Sequence, residues 1–216
     1  MTNVVALSGG IDSTSLALKL LESGEKIRGI FFNLGQKSHR RQEAAVRRFG
    51  LQHDVPVEII NIPGFLDMFV GVMKPPHPMV AEAAAGPNEP CNDSCSVILS
   101  AGLYGAATGA EVLYYGASLE DVQRIKALPE MLEHIERTIQ INTGVSKFRC
   151  EAPNIKRSRP EILKEMGAGI SDVFTWSCHW GGLHHCGECE GCKVRQDRFS
   201  VAAIPDDTEY SKEYPA

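Results

Sequence analysis

The sequence predicts an open, mainly parallel α/β sheet, doubly wound by helices in the Rossmann-like manner, with a four-cysteine zinc knuckle near its carboxyl end. Three observations carry that expectation. Apolar runs of strand length alternate with amphipathic stretches of helix length through most of the chain. A turn rich in glycine and hydroxyls, Ser8-Gly9-Gly10-Ile11-Asp12-Ser13-Thr14, follows directly on the first apolar run. Four of the seven cysteines crowd into residues 178 to 192.

Taken in order, strands are expected at Val4 to Leu7, Ile27 to Phe32, Val57 to Ile62, Glu111 to Gly116 and Phe148 to Ala152. The first helix places Leu16, Leu18, Leu20 and Leu21 near one face and stops at Gly24, a usual C-terminal signal. A second helix, "SHRRQEAAVRRFG", is expected to end at Gly50, and its Arg40, Arg41, Arg47 and Arg48 read as a solvated or subunit-contacting face. The third runs from about Ser94 to Gly109 and is rich in small residues, which lets it approach the sheet closely. Residues 63–92 are proline-rich without a sustained period, the composition of a lid or mobile loop. A further helix is read from Leu128 to Ile141. In "SRPEILKEMG", Ser158 and Glu161 form a capping box with proline in the first turn. The last eleven residues, from Asp206, read as a solvated tail. One domain, 1–216, is expected to hold all of this, including the loop and a metal-binding segment at 175–195.

Composition narrows the function classes. A net charge of −5 argues against broad adhesion to nucleic acid or anionic membranes. No apolar run approaches the roughly 18 residues needed to span a bilayer. The start of the chain lacks the basic stretch and apolar core of a secretory signal, so a cytoplasmic location is the default expectation. In a reducing compartment, clustered cysteines point to a metal rather than to a disulfide framework.

The turn after the first strand sits where an open parallel sheet places its ligand crevice. Glycines let the main chain approach phosphate oxygens, the helix start offers oriented N–H groups, and Ser8, Ser13 and Thr14 add hydroxyl donors. Leu7 and Gly116, at the carboxyl ends of the first and fourth strands, belong to the same nucleotide-binding set. Asp12 is placed either to cap the helix or to hold Mg²⁺. A Walker loop would carry a lysine, and none is present.

Cys178, Cys186, Cys189 and Cys192 are spaced C-x7-C-x2-C-x2-C, which suits a closed tetrahedral Zn²⁺ site of structural type; an iron–sulfur cluster is the alternative. Because the cysteines fill the shell, His184 and His185 read as exposed loop residues. Cys91 and Cys95 read as buried thiols of a small-residue helix, with a redox pair as the alternative. Cys150 reads as core.

The S-G-G-x-D-S string resembles the pyrophosphate loop of the ATP pyrophosphatase superfamily, the PP-loop or adenine nucleotide alpha hydrolase type. Taken with "NLGQKSH" at 33–39, "SRPEI" at 158–162 and "TWSC" at 175–178 followed by "CGECEGC", the chain resembles the 7-cyano-7-deazaguanine synthase family, QueC or ExsB. The resemblance implies an ATP-dependent C–N ligase and nitrile synthase of queuosine biosynthesis. Such an enzyme adenylates the carboxylate of 7-carboxy-7-deazaguanine, lets ammonia displace AMP, and adenylates and dehydrates the amide to 7-cyano-7-deazaguanine (preQ0), releasing AMP and pyrophosphate. It implies ATP, Mg²⁺ and Zn²⁺ as cofactors, a homodimer, and no membrane partner. Gln36 and Lys37 would reach the nucleotide or substrate, Arg159 would neutralise pyrophosphate, and Asp12 and Ser13 would join Lys37 and Arg159 as catalytic residues.

Two segments depart from the family pattern. "CNDSCSVILS" stands where the family has P-x-R-N-x-x-F-L-S, and "EDVQRIKALPEM" replaces a D-Y-S-G-Y-P-D-C-R-like run while keeping Asp121. These departures leave room for a paralogue that joins the activated deazaguanine carboxylate to another amine, in a nucleic acid or protein, or that stops at the amide. A zinc-containing nucleic-acid or protein interaction module without turnover is the alternative of another class.

Overall fold

Alternate residues of the first strand face opposite ways, and both sets are buried: Val4 and Ala6 enter one apolar cluster, Val5 and the following Leu7 the other. A strand without a solvent face needs helices on both sides, which is the condition of a parallel sheet. In the computed structural model, which describes residues 2–62, 65, 92–170 and 173–211, the elements run β1 (Asn3–Ala6), α1 (Ile11–Glu22), β2 (Ile27–Asn33), α2 (His39–His53), β3 (Val57–Asn61), α3 (Asn92–Ala107), β4 (Val112–Tyr115), α4 (Leu119–Arg124), α5 (Leu128–Thr143), β5 (Arg149–Glu151), α6 (Arg159–Met166) and α7 (Glu190–Ala202). A 3₁₀ turn, Gly167–Ile170, follows α6. The five strands pair in parallel in the order β3-β2-β1-β4-β5.

One face is covered by α1, α2, α6 and α7, whose Leu16, Phe49, Leu163 and Phe199 meet Val5 and Phe31 of the sheet. The other is covered by α3 and α5, whose Ile98, Leu132 and Ile139 meet Val4, Ile30 and Leu113. The small residues of α3 act as expected: a Cβ on Gly105 would stand 3.4 Å from Val4 Cγ2, and one on Gly102 would collide with Ile139. Cys95 packs partly buried against this second cluster. Cys150 is half-buried on β5, and burial pushes its thiol up to about 12, which makes it inert. Among the described residues, no helix is long and apolar enough to cross a membrane.

Three expectations about the chain's elements need correction. The second helix does not end at Gly50 but continues to His53, and the left-handed cap is Asp54, at φ 54°. Gly50 serves packing instead, because a Cβ there would lie 2.8 Å from both Val55 O and Val57 Cγ2. The stretch after β4 holds a short helix, α4, ahead of α5; Ser118 caps it and Asp121 accepts from both the Ser118 amide and hydroxyl. The segment from Asp206 is not a solvated tail through its described part: Asp206 accepts from Arg195 Nε at 3.2 Å and from the Tyr210 hydroxyl, and Ser211 N donates to His185 O at 2.8 Å. The lid expected over 63–92 lies outside the described residues except at Phe65 and Asn92, and Cys91 lies outside them as well.

Because β1 leads to β2 on one side and β4 stands on its other side, the connections after β1 and β4 diverge and open a crevice at the carboxyl edge. Gly116, just past β4, fixes how closely its two walls approach: a Cβ would lie 2.8 Å from Ser13 Cα and 2.9 Å from Ser13 N. Backbone cannot yield as a flexible side chain does. Gly116→Ala is therefore expected to lower stability by about 1 to 3 kcal/mol, read as a lower urea midpoint at unchanged slope.

Candidate nucleotide site and metal centre

Leu7, the last rung beside β1, donates its amide to Ile30 O at 2.9 Å, and the chain then turns through Ser8, Gly9 and Gly10 into α1. Gly9 takes φ +75°, and a Cβ on it would stand 2.6 Å from Gln42 O, so two independent constraints demand glycine there. Ser13 closes the turn: its hydroxyl accepts from Ser8 N at 3.1 Å, lies 3.0 Å from Ser8 Oγ, and donates to Gly10 O at 3.3 Å. Ser13 and Thr14 are both buried. The N-cap of α1 is Gly10, with no side-chain cap. The first amides of a helix have no partner inside it, so this uncapped end presents N–H groups and a partial positive charge to the crevice.

A cavity of about 600 Å³ opens at that end. The first turns of α1 and α7 line it, and α7 also lacks a side-chain cap. Among the described residues its walls carry four arginines, Arg124, Arg159, Arg195 and Arg198, against two carboxylates, Asp12 and Glu190. A chain of net charge −5 thus concentrates positive charge in one concavity.

Asp12 neither caps α1 nor stands free. Arg198 Nη2 donates to its Oδ1, and Arg159 Nε lies 3.5 Å from its Oδ2. Arg159 Nη2 also donates to Asp121 Oδ1 at 2.9 Å, and Arg124 approaches the same oxygen at 3.9 Å. Burial alone would lower the pKa of Arg159, but Asp121, Asp12 and Glu120 outweigh it and raise it, so the guanidinium stays charged. Asp121 is therefore a positioning group, shared between the α4 cap and Arg159.

Of the expected site residues the structure brings Gly10, Asp12 and Arg159 to the cavity lining; Leu7, Ser8, Gly9, Ser13, Thr14 and Gly116 stand behind it in and around the turn, and Gln36 and Lys37 are off it as well. Gln36 is engaged within the β2–α2 connection: Oε1 accepts from Leu34 N at 2.8 Å, and Nε2 donates to Phe32 O and to Gln42 Oε1. Lys37 Nζ sits 4.4 Å from the centre of the Trp180 ring. Sequence reasoning missed Arg124, Arg195 and Arg198. Arg195 and Arg198 stand three apart just beyond the last clustered cysteine, a spacing that puts both on one helical face.

The four clustered cysteines do converge. Their sulfurs lie within 4.8 Å of one another, and Cys186–Cys192 and Cys178–Cys189 are each 3.9 Å apart. A tetrahedron with metal–sulfur bonds of about 2.3 Å has edges of about 3.8 Å, so these sulfurs fit one four-coordinate ion. Backbone amides of Trp180 and Cys186 point at Cys178 Sγ, those of Glu188 and Cys189 at Cys186 Sγ, and that of His179 at Cys189 Sγ. Such donors stabilise thiolates, the ligating form. Cys189 is also the N-cap of α7 and Cys192 lies in its first turn, so the cysteine cluster and the start of the helix share residues.

His185 is not an exposed loop residue. It is 4% exposed, its Nε2 accepts from Ser177 N at 3.1 Å, and its ring lies 4.2 Å from that of Trp176. Burial, then the charge of Arg195, pushes its pKa down to about 4, so it is neutral at pH 7. Arg195 donates to Thr175 Oγ1 at 2.8 Å and Ser177 Oγ at 3.4 Å, and Trp176 N donates to Gly9 O at 2.8 Å. The segment leading into the knuckle is thereby bonded to both α7 and the glycine turn. His184 is exposed and pairs with Glu209.

The profile of the queuosine biosynthesis protein QueC family matches residues 2–203 of the chain. The 7-cyano-7-deazaguanine synthase of Caldicellulosiruptor bescii is 27% identical over 220 residues, covering 99% of each chain. That of Oceanobacillus iheyensis is 29% identical over 214 residues, covering 96% of this chain and 97% of the relative. That of Synechococcus sp. strain CC9605 is 29% identical over 219 residues, covering 95% of each.

Replacing one ligand should disable the metal centre. Cys189→Ser is expected to reduce bound metal from one ion per chain to a small fraction, by elemental analysis. With a few kcal/mol of coupled folding energy lost, the Tm should fall by roughly 5 to 10 °C. Unchanged metal content would refute the four-sulfur assignment.

Proposed function

The chain belongs to the QueC family of queuosine biosynthesis proteins, and from that premise we propose that it is an AMP-forming synthase acting on 7-carboxy-7-deazaguanine, with ATP and ammonia as co-substrates. The observation that carries this reading is the arginine-lined cavity at the uncapped start of α1, at the point where the sheet reverses its winding. Such a place favours a polyphosphate.

A carboxylate resists ammonia because oxide is a poor leaving group. Attack of one carboxylate oxygen on the α-phosphorus forms the C–O–P link and breaks the bond to the β-phosphate oxygen, which leaves as pyrophosphate. Ammonia then adds to the activated carbonyl, loses a proton and expels AMP, giving the amide. A second adenylation, at the amide oxygen, lets the nitrogen lose its remaining protons as AMP departs, giving the nitrile. The negative charge that grows on the departing pyrophosphate is what this site is built to receive: the amides of the glycine turn and of α1 would cradle its oxygens, with Ser8 and Ser13 fixing the turn and Arg159 supplying positive charge.

Asp12 offers the hard carboxylate oxygens that Mg²⁺ takes, within the same cavity. When bound there with the phosphates, Mg²⁺ supplies charge neutralisation and orientation. The all-sulfur knuckle is of the closed structural type that Zn²⁺ occupies, and it leaves no position for substrate. We assign it to holding α7 and the TWSC segment against the turn.

Incubation with ATP, Mg²⁺, ammonia and 7-carboxy-7-deazaguanine should give carboxylate-dependent AMP and pyrophosphate, with the nitrile mass in the product. An amide or a conjugate at that step would identify a paralogous activity, and tight RNA binding without AMP would refute catalysis. Asp12→Ala is expected to lower AMP formation by at least about a hundredfold, the scale of losing one electrostatic contact to the transition state. Its circular dichroism should remain unchanged.

A further inference from the structure

Arg198 belongs to none of the motifs that the sequence offers for nucleotide binding, yet it is one of the four arginines that line the cavity. It is 4% exposed, and Nη2 donates to Asp12 Oδ1. Its Nε is buried without a hydrogen-bond acceptor among the described residues, and the same holds for Nε of Arg159. One edge of a guanidinium presents two parallel N–H groups, a fork made for two oxygens of one oxyanion. Here a single carboxylate is divided between two such forks and completes neither.

Buried charged donors left half-satisfied are costly, so the pair calls for an acceptor richer in oxygen than Asp12. The position of the pair identifies that acceptor by class. Both arginines line the cavity at the uncapped end of α1, where a multiply charged anion also meets unpaired amides. Diphosphate has enough oxygens for both forks and for the helix end together. Arg159 and Arg198 also border a second cavity, of about 370 Å³.

We propose that Arg198 is a diphosphate-binding residue of this site, held by Asp12 and passed from that carboxylate to the incoming anion. Asp12 then acts twice over: it competes with the anion for Arg198, and its own charge repels the anion while it remains there. This inference rests on the reading of the glycine turn as a diphosphate cradle. A purely structural Arg198–Asp12 pair, tying α7 to α1, would behave differently, since removing either partner would then harm the site in the same direction.

The test is calorimetric titration of inorganic pyrophosphate into the full chain with its knuckle metal in place, in buffer without Mg²⁺, alongside titration of AMP. Arg198→Ala should bind pyrophosphate about ten- to a hundredfold more weakly than wild type, with Arg198→Lys recovering part of the loss. Asp12→Asn should bind it severalfold more tightly, while AMP affinity changes by less than about twofold in all three variants. Pyrophosphate binding by Arg198→Ala equal to wild type, or weakened binding by Asp12→Asn, would overturn the assignment and leave the cradle intact. Equal losses for AMP and pyrophosphate in Arg198→Ala would also overturn it, as a structural effect. Failure of the wild-type chain to bind pyrophosphate at all would overturn both this inference and the reading of the turn.

Discussion

The hydrogen bond from the Trp176 amide to the carbonyl of Gly9 joins two parts of the chain that are 167 residues apart, and the site depends on it. At Gly9 a left-handed backbone brings α2 against one side of the turn and the TWSC segment against the other. A side chain there would meet the α2 backbone, and a shifted carbonyl would leave Trp176 without an acceptor. With that bond in place, Ser177 and His179 lie beside the first turn of α7, so closely that a Cβ on Gly191 would meet Ser177 O at 2.1 Å. Gly10 of the turn and Ser177, His179 and Gly191 of the knuckle segment therefore line one cavity.

That arrangement gives the four-cysteine cluster a reason to stand next to the cationic cavity. Two of its four cysteines lie at the N-cap and in the first turn of α7, and two arginines of the cavity belong to the following turns. Holding the sulfurs fixes the start of the helix, and the helix fixes where Arg195 and Arg198 stand. On the opposite side Arg195 is secured by Thr175, Ser177 and Asp206, and Asp206 in turn by Tyr210. The acidic balance of the whole chain does not bear on this, because a cavity feels the charges that line it more than those screened by solvent.

Much of the fold was legible because its signals are local. All five strands stand within about two residues of their expected limits, as the ends of apolar runs allow. The capping box at Ser158 and Glu161 formed as read. The glycine turn and the four sulfurs were legible for the same reason, since spacing alone nearly determines them. What escaped was decided by tertiary contact. Gly50 looked like a helix terminator, but its lack of a side chain serves close packing on Val55 and Val57. His185 looked like a loop residue until Trp176 and Ser177 enclosed it. Arg198 carried no signal beyond its distance from Arg195, because its importance comes from Asp12, 186 positions away. In the sequence Asp121 is only a surviving residue of an altered segment, while its task of orienting Arg159 exists only in three dimensions.

The cations of α2 and its preceding turn lie over the rings of the knuckle segment: Lys37 over Trp180, Arg41 over Trp176 and Arg48 over Phe174. The chain contains two tryptophans, and both are in this patch. Indole emission from the intact protein consequently originates entirely at the seam between helix and knuckle. Ultraviolet fluorescence becomes an intrinsic gauge of whether that seam is closed, without any attached dye.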